Sequence, residues 1–527
     1  MSEPRDGGRF GAVALASAIA MTFSALAAFQ ADAQSSAPET EKTPPSSAPA
    51  APGPRSRLTL RGEFTTSTFA QKNFSLGAST VLPAPVSDFD AFWTQELRLY
   101  PRLILSDDLN VNLRTTFASG LWGFDDTPNE ANGDSPRSRR FFEMRVSWAY
   151  LSYQHHGSRT RWYLGRQRFG MGHSLVLDAN APGLQIYRDF GRNSALQLAF
   201  AKEMEGADGL SDANATSRGG GDGRDADLYL AEWKTERESF TFNPFYAYYL
   251  DRGNADGATL LPDGLDYSQA RFRPNISQAT VMGVALSGRR GPLRLELEYD
   301  KLSGKDRVQN LDSGPGERLD INNGDLTGSN LYGRLSVVGS RLELGGTIGM
   351  GSGDPDPRTG EGNINGLRTD GYFYLTEIWE DTISSDEEGI APGGLGASRF
   401  RGYRGLENTK VYQGHAAIRL RHNLRVFGSF SMLRSTEALQ RWSDLNADGR
   451  ISADEYGGAP STELGSEIDA RIDWTIDEKI FVALRGGMFF PRAAVGLLMF
   501  GTERFQEQAR EMRLTVRVPI SEFSLGG

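Results

Sequence analysis

Twelve residues near the end of the chain, DLNADGRISADE (444–455), have the composition and spacing of a calcium-binding loop. Such loops place oxygen ligands at positions 1, 3, 5, 7, 9 and 12, with glycine at position 6 for a sharp turn. Gly449 falls at position 6. The predicted ligands are the side chains of Asp444, Asn446, Asp448, Ser452 and Glu455 and the carbonyl oxygen of Arg450. We therefore expect a structural Ca²⁺ at this loop, with no part in chemistry.

The flanks of this loop differ from those of a complete helix–loop–helix unit. TEALQRWS (436–443) offers a helical lead-in, whereas YGGAP (456–460) ends any helix that follows the loop. The sequence thus predicts half of such a unit. The alternative is an acidic, solvated loop that binds no metal.

A second set of candidate residues consists of arginines on segments in which apolar and polar residues alternate. In PLRLELEYD (292–300) every second residue is apolar and the residues between are charged. Alternation with a period of two is typical of a β-strand with one apolar and one polar face. The pattern assigns Arg61 to the polar face together with twelve arginines that are the candidate pore-lining residues: Arg98, Arg102, Arg114, Arg145, Arg294, Arg334, Arg419, Arg425, Arg471, Arg485, Arg513 and Arg517.

A row of guanidinium groups attracts anions, because these groups stay charged and match carboxylates and phosphates through paired hydrogen bonds. The alternative is that the arginines pair with acids on the same face and serve only the structure. We expect anion binding mainly at the arginines whose own strands carry fewer acids in phase. These are Arg98, Arg102, Arg114, Arg513 and Arg517.

The histidines give no support to an enzyme. Three fall in predicted short turns (His155, His156 and His422), His415 falls on a strand and His173 in a loop. No Ser-His-Asp order with a supporting motif emerges from the sequence. We therefore predict that the chain is not an enzyme.

The first part of the chain is predicted to be a signal peptide, residues 1–33. Arg5 and Arg9 precede an apolar run, and ADAQ offers a cleavage site after Ala33. Residues 34–57 are rich in Pro, Ser and Ala and are predicted to form a flexible linker. An uncleaved membrane anchor is the alternative, because the apolar run is long enough to span a bilayer. The mature chain is expected to leave the cytoplasm.

Composition narrows the class of protein further. The chain has no cysteine, so an exported form must be held together without disulfides. Hydrophobic residues make up 39% of the sequence, which is low for a large soluble core. The formal net charge is −10, which gives no support to a nucleic-acid partner. A transmembrane β-barrel fits these values, because only half of each strand is apolar.

We predict an all-β fold, an antiparallel transmembrane β-barrel of about 18 strands over residues 58–527. About eighteen alternating segments occur, most near the length that a tilted strand needs to cross a bilayer. Six apolar residues are expected to face lipid: Trp148, Leu344, Ile348, Phe430, Met432 and Met488. The alternative is a soluble sandwich or solenoid, which would need a second sheet to cover them.

The lengths of the connections support the barrel. Short turns are predicted at 106–108, 155–158, 236–238, 288–291, 338–340, 421–423 and 476–479. Long polar stretches lie between them, at 70–89, 121–139, 204–225, 251–277, 302–328, 351–409, 434–461 and 491–506. Outer-membrane barrels have short periplasmic turns and long external loops. An even strand number places both termini in the periplasm and the calcium-type loop outside the cell.

Three segments resemble the alginate export porin family: YLGRQRFGMGHS (163–174), GMGSGDPDP (349–357) and LGSEIDARIDWTIDEKIFVALRGGMFFP (464–491). The resemblance implies an eighteen-stranded outer-membrane channel that exports or takes up anionic solutes, with an anionic polysaccharide such as alginate as one substrate. Its implied partners are outer-membrane lipid and the solute. The sequence identifies no periplasmic partner.

Another class of function remains open. A structural or adhesive barrel with ligand-binding external loops would have the same strand pattern. The stretch 351–409 is long enough to fold into the pore as a constriction. Conductance would separate the two classes.

Overall fold

The computed structural model describes residues 56–74, 76–77, 89–121, 144–204, 226–251, 276–306, 325–355, 362–367, 373–379, 406–443, 456–504 and 506–525. Strands dominate these ranges. The first nine strands are β1 (Arg57–Lys72), β2 (Phe89–Ser106), β3 (Leu109–Leu121), β4 (Arg145–His155), β5 (Thr160–Gly170), β6 (Asp178–Phe190), β7 (Ser194–Met204), β8 (Ala226–Glu236) and β9 (Phe240–Asp251). The others are β10 (Ile276–Arg290), β11 (Leu293–Asp306), β12 (Asp325–Val338), β13 (Leu342–Gly351), β14 (Gly362–Asn363), β15 (Thr409–Arg421), β16 (Leu424–Trp442), β17 (Tyr456–Ile476), β18 (Ile480–Pro491) and β19 (Ala509–Leu525).

Eighteen of these strands close into a single antiparallel barrel. Each long strand pairs with its neighbours along the chain, and β13 pairs with β15. The last strand, β19, pairs with β1 from Leu58↔Leu525 to Lys72↔Arg510, which closes the sheet. The two-residue β14 lies beside β12 in parallel and takes no part in the barrel wall. The predicted fold class is confirmed.

Short and long connections alternate around the barrel. The short ones are 107–108, 156–159, 191–193, 237–239, 291–292, 339–341, 422–423 and 477–479, and all the others join strands at the opposite rim. The turn at 191–193 and the connection 171–177 were not predicted from the sequence. In that turn Gly191 has φ of +71° and open space where a Cβ would be, so glycine suits it. Both ends of the described barrel lie at the short-turn rim.

The stretch before the calcium-type loop differs from its prediction. Residues 436–442 continue strand β16, which pairs with β17 as far as Trp442↔Tyr456. The predicted helical lead-in is therefore wrong, because pairing with β17 extends the strand through these residues. The loop 444–455, with all six predicted ligands, lies outside the described residues.

The outer surface of the barrel is apolar. Leu344, Phe430 and Met432 are each about half exposed, at 50%, 48% and 51%. On a closed sheet whose alternate residues line a polar interior, such residues face the bilayer. Ile348 and Met488 lie in phase with this outer row. Among the described residues, no helix is both long enough and apolar enough to cross a membrane.

The interior is partly filled from the long-connection rim. The segments 171–177, 362–367 and 373–379 and the helix α1 (Ala493–Phe500) supply buried apolar residues. These residues form one cluster with lumen-side residues of the strands, such as Phe169, Val281 and Phe489. The amide of Leu367 donates to the carbonyl of Val176 at 2.9 Å, which joins two of the inner segments. The part of the barrel nearest the long-connection rim therefore has a packed apolar core, in addition to the charged residues that line the lumen.

Candidate functional site: a charged lumen

The strand registers place the twelve predicted arginines in phase with lumen-side residues. Arg98, for example, contacts Glu63 and Glu96, and Arg145 lies opposite Thr116, whose hydroxyl donates to Glu96. The register between β3 and β4 shifts by one residue between Val146 and Trp148, and this shift places Arg145 on the lumen side. Binding of a solute by any of these arginines remains a prediction.

Seven arginines are concentrated on five adjacent strands, which we call the arginine wall. The wall consists of Arg485 on β18, Arg513 and Arg517 on β19, Arg61 on β1, Arg98 and Arg102 on β2, and Arg114 on β3. Lumen-side acids with described side chains on these strands are Glu63, Glu96 and Glu511 and, near the end of β19, Glu522. This sector therefore carries an excess of positive charge. Arg61, which alternation also assigns to the polar face, belongs to it, although it was not among the twelve candidates.

Ion pairs within the wall change the ranking of its arginines. Arg98 contacts Glu63 at 3.1 Å and Glu96 at 2.7 Å. Glu63 also lies 4.0 Å from Arg517, and Glu511 lies 3.8 Å from Arg513. Arg98 and Arg513 therefore have acid partners, although their own strands carry few acids in phase. Glu63 belongs to another strand, and Glu96 and Glu511 lie two residues away on the same face, where side chains meet.

Aromatic rings support several guanidinium groups of the wall. The Cζ atoms of Arg114 and Arg517 lie 4.8 Å from the ring centres of Trp148 and Phe481, respectively. Arg513 stacks in the same way on Phe69, at 5.2 Å. Stacking holds a guanidinium in one orientation, with its N–H groups in the plane of the group. The wall is therefore arranged to present planar donor groups to the lumen.

Trp148 was predicted to face lipid, but its side chain lies on the lumen side. Its ring contacts Arg114 and Tyr100 on the lumen side, and its Nε1 donates to Asn180 Oδ1 at 2.6 Å. The strand β4 carries a bulge at Ser147, which shifts the register against β3. A bulge changes the face on which the flanking side chains lie. Simple alternation therefore predicted the wrong face of the strand for Trp148.

The remaining arginines fall into two groups. Arg334 and Arg425 share Glu343 at 3.4 and 3.1 Å, and Arg471 pairs with Asp473 at 2.5 Å. These arginines pair with neighbouring acids, as expected if they serve only the structure of the barrel. The second group is exposed and lies near the ends of strands: Arg145, Arg294 and Arg419.

The inner segment 171–177 is attached to the opposite side of the lumen by His173. Its Nδ1 lies 2.8 Å from Glu298 Oε2, and its backbone N–H donates to the same oxygen. Its Nε2 lies 3.1 Å from Ser287 Oγ. Glu298 is fully buried, so the interaction also satisfies a carboxylate removed from water. His173 and Glu298 are 125 residues apart in the sequence, so local patterns could not predict this contact.

Ser287, His173 and Glu298 are connected in the same order as the triad of a serine hydrolase. Ser287 lies inside β10, however, opposite Thr241 on β9 and Glu296 on β11. A strand between two partners uses its N–H groups in the ladders. Acyl transfer needs such donors to be directed at the developing oxyanion. The cluster is better suited to hold the inner segment in place.

The inner segment 373–379 is attached to the arginine wall. Glu377 Oε2 lies 3.7 Å from Arg485 and 3.6 Å from Arg513. The hydroxyl of Tyr374 accepts a hydrogen bond from Arg485 at 3.0 Å. On β17, Glu467 accepts the backbone N–H groups of residues 378 and 379 at 2.6 and 2.9 Å. A part of the stretch 351–409 thus lies in the pore and places a carboxylate on two wall arginines.

Comparison with known proteins gives structural similarity alone. No protein-family model and no curated protein sequence matches the chain. Among solved structures, OccAB3 of Acinetobacter baumannii is 10% identical, with 89% of this chain and 99% of that chain covered and a TM-score of 0.49. OccK8 (OprE) of Pseudomonas aeruginosa is 12% identical, with 89% and 98% covered and a TM-score of 0.48. The outer membrane protein OpdK of Pseudomonas aeruginosa is 11% identical, with 89% and 99% covered and a TM-score of 0.47.

The class of the protein follows from its own strand pairing: a closed, eighteen-stranded antiparallel barrel. The three structures named above carry Occ or Opd names. Membership of the alginate export porin family stays a prediction.

Proposed function

We propose that the chain forms an outer-membrane channel for small anionic solutes. The observation that carries this proposal is the arginine wall, seven arginines on five adjacent strands with four lumen-side glutamates among them. A confined pore with such an excess of arginine concentrates anions. Several weak sites in succession let a charged solute enter and leave.

The proposed location follows from the barrel and its surface. Closed barrels with an apolar outer face and alternating short and long connections are typical of the outer membrane. In this arrangement the short-turn rim and both ends of the barrel lie in the periplasm. The long connections, including the calcium-type loop 444–455, lie outside the cell.

The filling of the lumen favours a small solute over a polymer. Segments 171–177, 362–367 and 373–379 enter the pore and join one apolar cluster with the strands. A polysaccharide such as alginate would need a continuous wide path past these segments. A small carboxylate or phosphate needs only a narrow path along the wall. Alginate is therefore the less favoured solute within this proposal.

Planar-bilayer recording tests the proposal. The purified barrel is expected to conduct, and reversal potentials in a potassium chloride gradient should show preference for chloride. Replacing Arg102 and Arg517 with Gln should reduce this preference, because two positive charges leave the wall. Arg188→Gln is the matched control, since Arg188 stacks on the outward Phe190 near the short-turn rim. A cation-selective pore, or equal effects of both changes, would contradict the proposal.

A structural or adhesive barrel is the second candidate, and the inner apolar cluster favours it. If the cluster closes the lumen completely, the barrel carries its long connections as a rigid support and passes no ions. The same recording distinguishes the candidates, because a closed barrel gives no conductance steps at any voltage.

A further inference from the structure

The lipid-facing surface has an apolar groove that crosses β11, β12, β13, β15 and β16. Its volume is about 470 Å³. Gly333, Gly346 and Gly414 form its floor. Its walls are Leu297, Leu335, Ile348, Tyr412, Phe430 and Met432.

Strand register explains why the groove is continuous. Gly346 lies opposite Leu335 on one side and Gly414 on the other, and Gly414 lies opposite Phe430. A Cβ placed on Gly414 would meet no heavy atom within 4 Å. The glycines have no side chains, and the large outward side chains around them therefore leave room for a chain-like ligand.

Two cations lie at the end of the groove nearest the long connections. Lys410 is two residues before Tyr412 on β15, and Arg434 is two residues after Met432 on β16, so both share the outer face. They lie directly opposite each other in the register. Like charges in this position destabilise a sheet. Glu463 lies opposite Arg434 on β17, which leaves one positive charge in excess.

The cations lie at the level expected for lipid head groups. Tyr412 and Tyr299 are 42% and 49% exposed on the outer face. Tyrosines at this position mark the boundary between hydrocarbon and water. Lys301 lies two residues beyond Tyr299, in the same relation as Lys410 to Tyr412. Anionic head groups attract basic residues at this boundary.

We propose that the groove and the pair Lys410 and Arg434 bind one phosphorylated lipid of the outer leaflet, with an acyl chain in the groove and a phosphate between the two cations. This inference rests on the outer-membrane location proposed above and is independent of the pore. Charge decides between occupants. A phosphate offsets the excess positive charge, whereas a second copy of this face would bring the same cations against it.

Binding of purified diphosphoryl lipid A to the folded, detergent-solubilised barrel tests the inference. Native mass spectrometry of a lipid titration gives the affinity. Lys410→Gln with Arg434→Gln should weaken binding about thirtyfold, which corresponds to about 2 kcal/mol for two cations at a membrane surface. Gly414→Leu should weaken it by filling the groove. Arg188→Gln, which removes an outward cation near the other rim, should leave the affinity unchanged.

Further measurements distinguish the possible outcomes of this experiment. Heat-modifiable migration on a gel checks that each variant is folded. Completely dephosphorylated lipid A should bind more weakly than the diphosphoryl form, and equal binding of the two would overturn the inference. Unchanged affinity in the Lys410→Gln, Arg434→Gln variant would also overturn it, as would a dimer that Gly414→Leu disrupts. Ion selectivity should stay the same in all these variants, because the changed residues face away from the lumen.

Discussion

Replacing Glu377 with Gln removes a negative charge from between two arginines of the wall. Its Oε2 lies 3.7 Å from Arg485 Nη1 and 3.6 Å from Arg513 Nη2. The three side chains are between 12% and 17% exposed, so water screens these pairs only in part. Two ion pairs therefore hold segment 373–379 against β18 and β19.

The size of the effect follows from these distances. Two unit charges about 3.6 Å apart attract by about 4.6 kcal/mol at an effective dielectric constant of about 20. Desolvation offsets much of that attraction, and these distances exceed those of direct hydrogen bonds. We expect a net loss of about 1–2 kcal/mol, which changes the ratio of docked to released segment by about 5–30-fold.

Single-channel recording at low salt measures both consequences of Glu377→Gln. The released segment should give more frequent high-conductance openings. The wall also gains one positive charge, so preference for chloride should increase. Low salt makes the second effect visible, since the screening length is about 30 Å at 0.01 M.

Two matched variants separate mechanical from electrostatic effects. Tyr374→Phe removes the hydrogen bond to Arg485 without a change of charge, so it should alter openings more than selectivity. Glu478→Gln removes the same charge as Glu377→Gln from the exposed short turn 477–479 and should alter neither. Unchanged openings and selectivity in Glu377→Gln, or a shift toward cations, would refute the reasoning.

Two further predictions concern the loop and the wall of the barrel. Calorimetry should show Ca²⁺ binding at 444–455 with an affinity of about 10⁻⁴–10⁻³ M, lost in Asp448→Ala with Glu455→Ala; identical titrations would identify the loop as an acidic turn. Gly183→Ala should destabilise the barrel by about 1–3 kcal/mol, because the added Cβ would lie 2.1 Å from the carbonyl oxygen of Phe200. Gly414→Ala meets open space and is the control; equal urea midpoints would contradict this reading.

Most of the barrel wall could be predicted from the sequence because its two signals are local. Alternation with a period of two marks each strand, and turn length marks each rim. Errors occurred where a local rule changes within a strand. The bulge at Ser147 moved Trp148 to the lumen, and pairing with β17 turned residues 436–442 into strand. The turn at 191–193, which joins β6 and β7, was also missed.

The candidate site was predictable only in outline. Alternation indicated which arginines share the polar face, because the face of a strand residue depends on its position alone. It gave no sign that Arg98 also contacts Glu63, because Glu63 belongs to another strand. It also gave no sign of the contact between His173 and Glu298, because pattern rules act over a few residues and this pair is separated by 125.

The sequence by itself determined the class of fold, the rims of the barrel and the charge of its polar face. These depend on hydrophobic periodicity and turn chemistry, which each short segment carries within itself. Only the tertiary structure decided that the inner segments enter the pore and that Glu377 reaches Arg485 and Arg513. Closing the sheet brings the last strand beside the first, and it brings residues distant in sequence around one lumen. The charge of the lumen is therefore a property of the closed barrel.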